Sequence, residues 1–225
     1  MFEVQSNMKP LNRIKTDWDA NLAYAVGLLA TDGCLYKDGR HIDFTSQDIQ
    51  LIKTFKTCLN LKNKIGLKAS GSSTNKCPRI QFGNILFYKW LLEVGITPHK
   101  SRTIADLKVP DEYFFDFLRG HFDGDGCCFS YWDKRWHSSF MFYITFASAS
   151  EKHINWLRQK INNFVKINGY LGKAKKSNVY QLRYAKKESI LLISKMYYKK
   201  GLPCLLRKFK KIQSILKTDK RSLEE

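Results

Sequence analysis

Two stretches of the chain share one pattern of apolar and small residues that ends in Asp-Gly-Cys. Residues 24–35 read YAVGLLATDGCL and residues 116–128 read DFLRGHFDGDGCC, and the matching Asp-Gly pairs are 93 positions apart. In both stretches apolar residues recur every three or four positions, which predicts a helix with one buried face that stops at the glycine. Repetition of the same unit indicates an internal duplication.

Each predicted helix is followed by segments in which apolar and polar residues alternate, as in a strand with one buried face. Two such segments in one half match two in the other at a constant separation of 102 positions. Because the separation grows from 93 to 102 before the first matched strand, we expect a longer hairpin in the second half, through SYWDKRWHSS. The matched apolar pairs are Ile42 and Phe44 with Ile144 and Phe146, then Ile80 and Phe82 with Leu182 and Tyr184.

Helical spacing between the matched strands completes the order of elements in each half. The two segments are IQLIKTFKTCLN and EKHINWLRQKINNF. We therefore predict an α+β fold of two pseudo-symmetric αββαββα repeats with antiparallel sheets. Residues 105–113 contain a proline and form the predicted linker, which sets the domains at 1–108 and 109–225. Residues 204–217 predict a last, basic amphipathic helix.

The charge of the chain indicates what kind of partner the protein binds. Its 39 Lys and Arg residues exceed its 20 acidic ones, and the net charge of +19 favours a polyanion, with nucleic acid the leading candidate. No apolar run reaches the roughly 18 residues of a membrane span and no signal-peptide pattern begins the chain. We expect a soluble intracellular protein, in the cytoplasm or an organelle. The six cysteines form no CxxC pair, which favours reduced thiols over a zinc site.

The duplicated helices carry the candidate chemistry. Gly27 and Gly120 lack side chains, so the two helix backbones can approach each other closely. Asp32 and Asp125 then meet at the base of the interface, each at a helix C-terminus, where a negative charge is unfavourable by about 0.3–1 kcal/mol. Neighbouring carboxylates stay ionised at little cost only when a hard cation lies between them. Asp32 and Asp125 are therefore the predicted metal ligands and catalytic acids.

AVGLLATDG, residues 25–33, and LRGHFDGDG, residues 118–126, resemble the nine-residue signature that names the LAGLIDADG homing endonucleases. The second copy keeps both acids of the signature, whereas Ala30 stands in place of the first acid in the other copy. Because the first half has no counterpart of Asp123, we expect this residue to support the interface and not to bind metal. The backbone groups of Ala30 and Gly33 are not assigned as ligands.

The resemblance implies a saddle-shaped DNA-binding face built from the two sheets, with the motif helices at the interface of a monomer. It implies a site-specific double-strand DNA endonuclease, encoded within an intron, that makes a staggered cut with short 3′ overhangs in a long nonpalindromic site. Mg²⁺ is the implied metal, with Mn²⁺ able to replace it and Ca²⁺ supporting binding with little cleavage. The alternative is a noncatalytic nucleic-acid-binding protein on the same scaffold, such as an intron-RNA maturase or a DNA-binding regulator. Retention of both aspartates favours the nuclease.

The resemblance also implies a polar and a basic residue near each acid. The polar residue lies at a strand end, two positions beyond an inward apolar residue, which indicates Ser46 and Ser148, with Gln47 as the alternative to Ser46. The basic residue follows the last helix of each repeat. Lys100 fits this place in the first half, and Lys208 in the second, with Arg207 as the alternative to Lys208.

The polar face of each predicted sheet supplies the candidate DNA contacts. Arg and Gln side chains read guanine and adenine edges through paired hydrogen bonds in the major groove. The residues that alternate with the buried positions are Arg79, Gln81, Gln181 and Arg183. The predicted phosphate contacts are Lys68, Lys76, Lys134, Arg135, Lys173, Lys175 and Lys176.

Overall fold

A computed structural model describes residues 14–70, 73–136, 139–174 and 178–221. The first repeat consists of helix α1, a hairpin, helix α2, a second hairpin and helix α3. Their bounds are α1 Ala20–Asp32, β1 Gly33–Leu35, β2 His41–Thr45, α2 Ile49–Cys58, β3 Gly66–Ser70, β4 Ser73–Gly83 and α3 Ile85–Val94.

The second repeat has the same order of elements with one helix added at its end. Its bounds are α4 Phe114–Asp125, β5 Cys127–Trp132, β6 Phe140–Ser148, α5 Glu151–Val165, β7 Tyr170–Lys173, β8 Tyr180–Tyr184, α6 Lys186–Met196 and α7 Leu206–Arg221. The αββαββα order and the final basic helix are confirmed. Two 3₁₀ turns, Lys100–Arg102 and Asp111–Tyr113, flank the place proposed for the domain boundary.

Each repeat folds one four-stranded antiparallel sheet, in the orders β1-β2-β4-β3 and β5-β6-β8-β7. Phe44 pairs with Ile80 in the first sheet, and Phe146 pairs with Leu182 in the second. Because both partners shift by the same 102 positions, the two repeats pair their central strands in the same register. The longer second hairpin is also confirmed, since β5 and β6 have six and nine residues against three and five in β1 and β2.

One face of each sheet is buried under the helices, as the alternation predicts. Ile42 and Phe44 are fully buried, and so are Ile144 and Phe146 at the equivalent places. The rings of Phe44 and Phe55 stack at 4.4 Å, which attaches α2 to the first sheet. The opposite face of each sheet has no helix in front of it and carries the polar and aromatic residues described below.

Helices α1 and α4 pack side by side along the interface of the repeats. A Cβ atom added at Gly27 would lie less than 3.0 Å from the carbonyl oxygen of Phe117 and the amide nitrogen of His121. A Cβ atom at Gly120 would lie equally close to the carbonyl oxygen of Tyr24. Since these neighbours are backbone atoms, they cannot move without separating the helices. The close approach predicted at both glycines is present.

We predict that Gly27→Ala and Gly120→Ala each destabilise the protein by about 1–3 kcal/mol or more, the range for overpacking in a core. Alanine ordinarily stabilises a helix by roughly 0.5–1 kcal/mol relative to glycine, so the clash reverses the sign. Urea unfolding followed by circular dichroism measures the change. Gly66→Ala is the matched control, because its Cβ atom would meet nothing within 4 Å. Equal stability of all three variants would contradict the close packing.

Candidate active site at the ends of the motif helices

Helices α1 and α4 end at Asp32 and Asp125, and the chain continues from the next glycine into β1, which starts at Gly33, and into β5, which starts at Cys127. Gly33 and Gly126 have ordinary extended backbone angles, with φ of −77° and −81°. Both helices stop at these glycines as the sequence predicts, but without the left-handed turn that glycine often adopts at a helix end. A Cβ atom at Gly33 would lie 2.6 Å from the carbonyl oxygen of Leu29, so steric closeness and not a left-handed conformation calls for glycine here.

The carboxyl groups of Asp32 and Asp125 influence each other electrostatically. The pKa of Asp32 is raised to about 6, first by desolvation and then by the charge of Asp125. Desolvation also raises the pKa of Asp125. Both side chains remain reached by solvent, so the surrounding protein removes part of their hydration without enclosing them. The helix ends touch across the interface, because a Cβ atom at Gly124 would lie 3.1 Å from Oδ2 of Asp32.

Lys100 and Lys208 lie buried at equivalent places beneath the two acids. The ammonium of Lys100 donates to the carbonyl oxygens of Thr31, at 3.1 Å, and Gly33, at 2.5 Å. Lys208 donates to the matching oxygens of Gly124 and Gly126, at 3.2 and 2.6 Å, and also to the carbonyls of residues 122 and 123. Each lysine thus satisfies unpaired carbonyls at the end of one motif helix and opposes the negative end of its dipole.

Burial lowers the pKa of both lysines, and the positive charges in turn act on both carboxyl groups. Lys100 and Lys208 each work to lower the pKa of Asp32, against the larger effect of desolvation. The alternative residue Arg207 is directed elsewhere, because its Nε donates to Oδ2 of Asp48 at 2.9 Å on the surface. The structure therefore brings together Asp32, Asp125, Lys100 and Lys208 and leaves Arg207 outside.

Ser46 directly follows the last residue of β2, and Ser148 is the last residue of β6. The hydroxyl oxygen of Ser46 accepts the amide of Asp48 at 3.1 Å, and that of Ser148 accepts the amide of Ser150 at 3.1 Å. Each bond shapes the turn before a helix, a common use of serine. Gln47 is exposed beside Ser46. The geometry assigns both serines a structural contact, and their catalytic role stays a prediction.

Asp123 lies in the interface between the motif helices, 1% exposed. Its Oδ2 accepts the hydroxyl of Tyr24 at 2.7 Å and the amide of Leu205 at 2.6 Å. One carboxylate therefore joins α1 to the segment that begins α7, which carries Lys208. Burial raises the pKa of Asp123 to about 6. These contacts agree with an interface role for Asp123.

The donor set at the helix ends fits a hard divalent cation. Among the described residues, neither Asp32 nor Asp125 accepts a hydrogen bond through its carboxylate, so their oxygens are available as ligands. Ionising both acids is unfavourable without a positive partner, and the oxygen-only character of the set suits Mg²⁺ or Mn²⁺. Among the described residues, no group of three or more His, Cys, Asp or Glu side chains could hold a metal ion.

The four predicted base-reading residues lie on the sheet faces that carry no helix. Arg79 is paired with Thr45 and Gln81 with Asp43 in the first sheet, and Gln181 and Arg183 hold the equivalent places in the second. All four are half-buried. The predicted phosphate contacts Lys76, Lys134, Arg135 and Lys173 are exposed and Lys68 is half-buried, while Lys175 and Lys176 lie outside the described residues.

Sequence reasoning missed Asp43 on the first of these faces. Its carboxylate is 1% exposed, and Oδ2 accepts Nζ of Lys68 at 3.0 Å and lies 3.5 Å from Nη1 of Arg79. The hydroxyl of Tyr36 also donates to it, at 3.3 Å. The alternation around Ile42 and Phe44 places residue 43 on the polar face. It does not identify the side chains that Asp43 contacts there, because those depend on how β2 pairs with β4. Two predicted DNA contacts thus share one buried counter-charge.

Sequence reasoning also missed an aromatic group on the second face. Phe129 and Tyr143 are directly opposite each other on β5 and β6, with ring centroids 5.1 Å apart. Tyr131 stacks beside both. Trp132 packs against Phe140, with ring centroids 5.1 Å apart. Alternation in CCFSYW could have placed Phe129 and Tyr131 on one face.

The similarity of this structure to solved structures identifies its fold. The structure matches the LAGLIDADG meganuclease I-AabMI bound to uncleaved DNA with a TM-score of 0.57, 14% identity, and coverage of 90% of this chain and 92% of the other. This chain has the LAGLIDADG fold. I-DmoI in complex with DNA and Mn matches with a TM-score of 0.53, 15% identity, and coverage of 80% and 97%.

The LAGLIDADG fold also occurs in a protein whose name states no nuclease. The N-terminal LAGLIDADG domain of DUF199/WhiA matches with a TM-score of 0.54 and 14% identity, over 92% of this chain and 98% of that domain. This chain spans 61% of full-length DUF199/WhiA from Thermatoga maritima. No family model and no curated protein matches the sequence.

In the described residues, no helix is both long and apolar enough to cross a membrane.

The raised pKa of Asp32 predicts that its charge costs folding stability. Since the folded-state pKa of about 6 exceeds the ordinary 3.8, ionisation weakens the fold as the pH rises through this window. We expect Asp32→Asn to melt at a higher temperature than the parent protein at pH 7.5, with the difference shrinking as the pH falls towards 4. Differential scanning calorimetry without metal measures it. Asp17→Asn, on an exposed side chain, is the control and should show no such gain. A lower melting temperature for Asp32→Asn at pH 7.5 would contradict the electrostatic assignment.

Proposed function

We propose that this protein is a site-specific double-strand DNA endonuclease of the homing type, encoded within an intron. The observation that carries the proposal is the group of two carboxylates and two buried ammoniums at equivalent places at the ends of the motif helices. A scaffold that only binds DNA has no need to hold two acids together. The solved complexes of I-AabMI and I-DmoI with DNA support the same substrate class.

Asp32 and Asp125 would hold Mg²⁺, and Mn²⁺ in its place, together with oxygens of the DNA backbone. The bound metal would supply an activated water and stabilise the leaving oxygen of the phosphodiester. The desolvated surroundings of both acids strengthen their attraction for a cation. Lys100 and Lys208 keep positive charge beside the site, where it can oppose the negative charge that develops on the phosphate. Ser46 and Ser148 would hold the turns next to it. The presence of Mn in the I-DmoI complex supports a divalent metal.

The two sheet faces would hold a long DNA duplex, one half-site against each repeat of a monomer. A monomer is expected because α1 and α4 of one chain already form the interface that places both acids. The net charge of +19 supports phosphate binding. The faces differ in their chemistry, which supports a nonpalindromic site, and the two acids would cut opposite strands with a stagger that leaves short 3′ overhangs.

A noncatalytic nucleic-acid-binding protein is the second candidate, as a DNA-binding regulator or an intron-RNA maturase. The likeness to the DUF199/WhiA domain favours it, since this fold is not confined to proteins named as endonucleases. The retained pair Asp32 and Asp125 favours the nuclease. Cleavage assays separate the two functions.

We predict that Asp32→Asn and Asp125→Asn each abolish double-strand cleavage while changing DNA affinity by less than threefold. The amide keeps the shape of the side chain but lacks the charge that attracts a cation. A randomised duplex library incubated with Mg²⁺ supplies the cleaved site, on which single-turnover cleavage and binding in Ca²⁺ are measured. Asp17→Asn is the control. Equal losses of binding and cleavage would point to a structural role of the acids, and full cleavage in Ca²⁺ would contradict the proposed chemistry.

We predict that Lys100→Met and Lys208→Met slow cleavage of the two strands unequally and by more than tenfold. The reason is that Lys208 contacts four backbone carbonyls and Lys100 two, so the two half-sites differ. Strand-resolved rates on a supercoiled plasmid measure the effect, and a nicked intermediate should accumulate first.

Lys211→Met is the matched control for the lysine variants. Lys211 lies on the same helix as Lys208 and donates to the carbonyl of Cys128 at 2.6 Å, but its charge is not among those that shift the pKa of Asp32 or Asp125. It should lose stability without a strand-specific effect. Unchanged rates in Lys100→Met and Lys208→Met, measured below their melting temperatures, would show that these lysines only fasten the helix ends.

A further inference from the structure

The outer face of the second sheet carries a group of parallel aromatic rings, which we name the aromatic face and define as Phe129, Tyr131 and Tyr143. The rings of Phe129 and Tyr143 are inclined by 14°, and those of Tyr131 and Tyr143 by 8°. Phe129 is 38% exposed and Tyr131 42%. Large apolar surface is therefore open to solvent on the side of the sheet that has no helix in front of it.

Arg183 stands at the edge of the aromatic face. Its guanidinium carbon lies 6.0 Å from the ring centre of Phe129 and 5.9 Å from that of Tyr143, within the range of cation–π attraction. Its Nη2 donates to the amide oxygen of Gln181 at 3.4 Å. In the described part of the chain Arg183 forms no ion pair, so its charge remains available to a negatively charged partner while its position is set by the rings.

The first sheet has different chemistry at the equivalent positions. Tyr36 and His41 replace Phe129 and Tyr143, and their rings meet edge to face, inclined by 80°. His41 is tied to Asp38 by an ion pair. At the place of Thr145 in the second sheet, the first sheet has the buried carboxylate of Asp43. The first face is therefore polar and charged, whereas the second exposes apolar rings beside Arg183.

Apolar rings on a face that meets duplex DNA discriminate between bases. In the major groove the 5-methyl group of thymine is the apolar group that projects from the base edges among the hydrogen-bond donors and acceptors. A ring that covers such a polar edge removes its water and gives it no partner, which is unfavourable. A ring that covers a methyl group removes apolar surface from water, which is favourable.

We propose that the aromatic face recognises thymine methyl groups in the DNA half-site bound by the second sheet, next to a guanine read by Arg183. This proposal rests on the proposed DNA-binding function. The positive charge of the protein and of Arg183 complements the phosphate-lined groove, and the ring of Phe129 lies one pleat from the row that contains Thr145 and Arg183. The half-site read by the first sheet, with Asp43 holding Lys68 and Arg79, has no such requirement.

The test uses the whole protein and removes only methyl groups from DNA. Duplexes selected by binding from a randomised library in Ca²⁺ are resynthesised with deoxyuridine in place of thymidine, in one half-site at a time. We expect binding to weaken about fourfold for each contacted methyl group that is lost, since one buried group of this size contributes on the order of 0.8 kcal/mol. Substitution in the other half-site should leave the affinity unchanged.

Phe129→Ala identifies the half-site that faces the second sheet, because this variant loses one of the three rings and should respond less to deoxyuridine in that half-site. The double variant Phe129→Ala/Tyr131→Ala, which removes both exposed rings, should bind thymidine and deoxyuridine duplexes equally. Phe164→Ala is the matched control: Phe164 is 37% exposed, but it lies on α5 and packs against Phe114 on the helical side. This control should keep the full response to deoxyuridine. Since the measurement on the parent protein needs no variant, a variant that fails to fold leaves the test intact.

Sequence-selective binding with no response to deoxyuridine in either half-site would overturn the proposal while leaving the DNA-binding function in place. Selected sites without thymine enrichment would overturn it as well. Absence of any sequence-selective DNA binding would instead refute the proposed function itself. A response to deoxyuridine that the double variant Phe129→Ala/Tyr131→Ala retains in full would assign the methyl contacts to other residues and would also refute the proposal.

Discussion

The close approach of two helix backbones is the constraint on which the rest of this structure depends. At Gly27 and Gly120 each helix lies so near the other that a single methyl group would overlap backbone atoms. The interface therefore has one permitted arrangement, in which both helices end at the same level. The two aspartates meet because the glycines five residues earlier allow it. The geometry of the candidate site is here a consequence of packing between repeats.

Placing two carboxylates at the negative ends of two helices is electrostatically unfavourable, and the structure offsets this only in part. Lys100 and Lys208 cover the carbonyls that the helices leave unpaired, and their charges act on both acids. Desolvation still dominates, so the pKa of Asp32 stays near 6. The cost of ionising the two carboxyl groups that remains uncompensated gives such a site its attraction for a divalent cation. The ionised carboxyl group of Asp32 therefore lowers the stability of the fold at the site where we propose the chemistry.

The repeats keep a common backbone while their functional surfaces differ. Asp123 joins α1 to the start of α7 on one side of the interface, and Ala30 stands at its counterpart. On the open faces, a buried carboxylate with basic partners contrasts with stacked rings beside Arg183. Duplication within one chain permits this divergence, since each copy can change alone. Two copies related by exact symmetry would be confined to equal half-sites.

The sequence by itself determined the duplication, the order of elements, the equivalence of the central strands in the two repeats and the helix ends that carry the acids. These are local or periodic features, written in the spacing of apolar residues and repeated twice. It also indicated Lys100 and Lys208, though not that both contact matching carbonyls. Only the tertiary structure decided that Gly33 serves close packing, that Asp43 neutralises Lys68 and Arg79, and that Phe129 stacks on Tyr143. Alternation along a strand predicts which face of the sheet a side chain occupies. Its neighbours depend on how separate strands align, and the spacing of apolar residues within a strand does not encode that alignment.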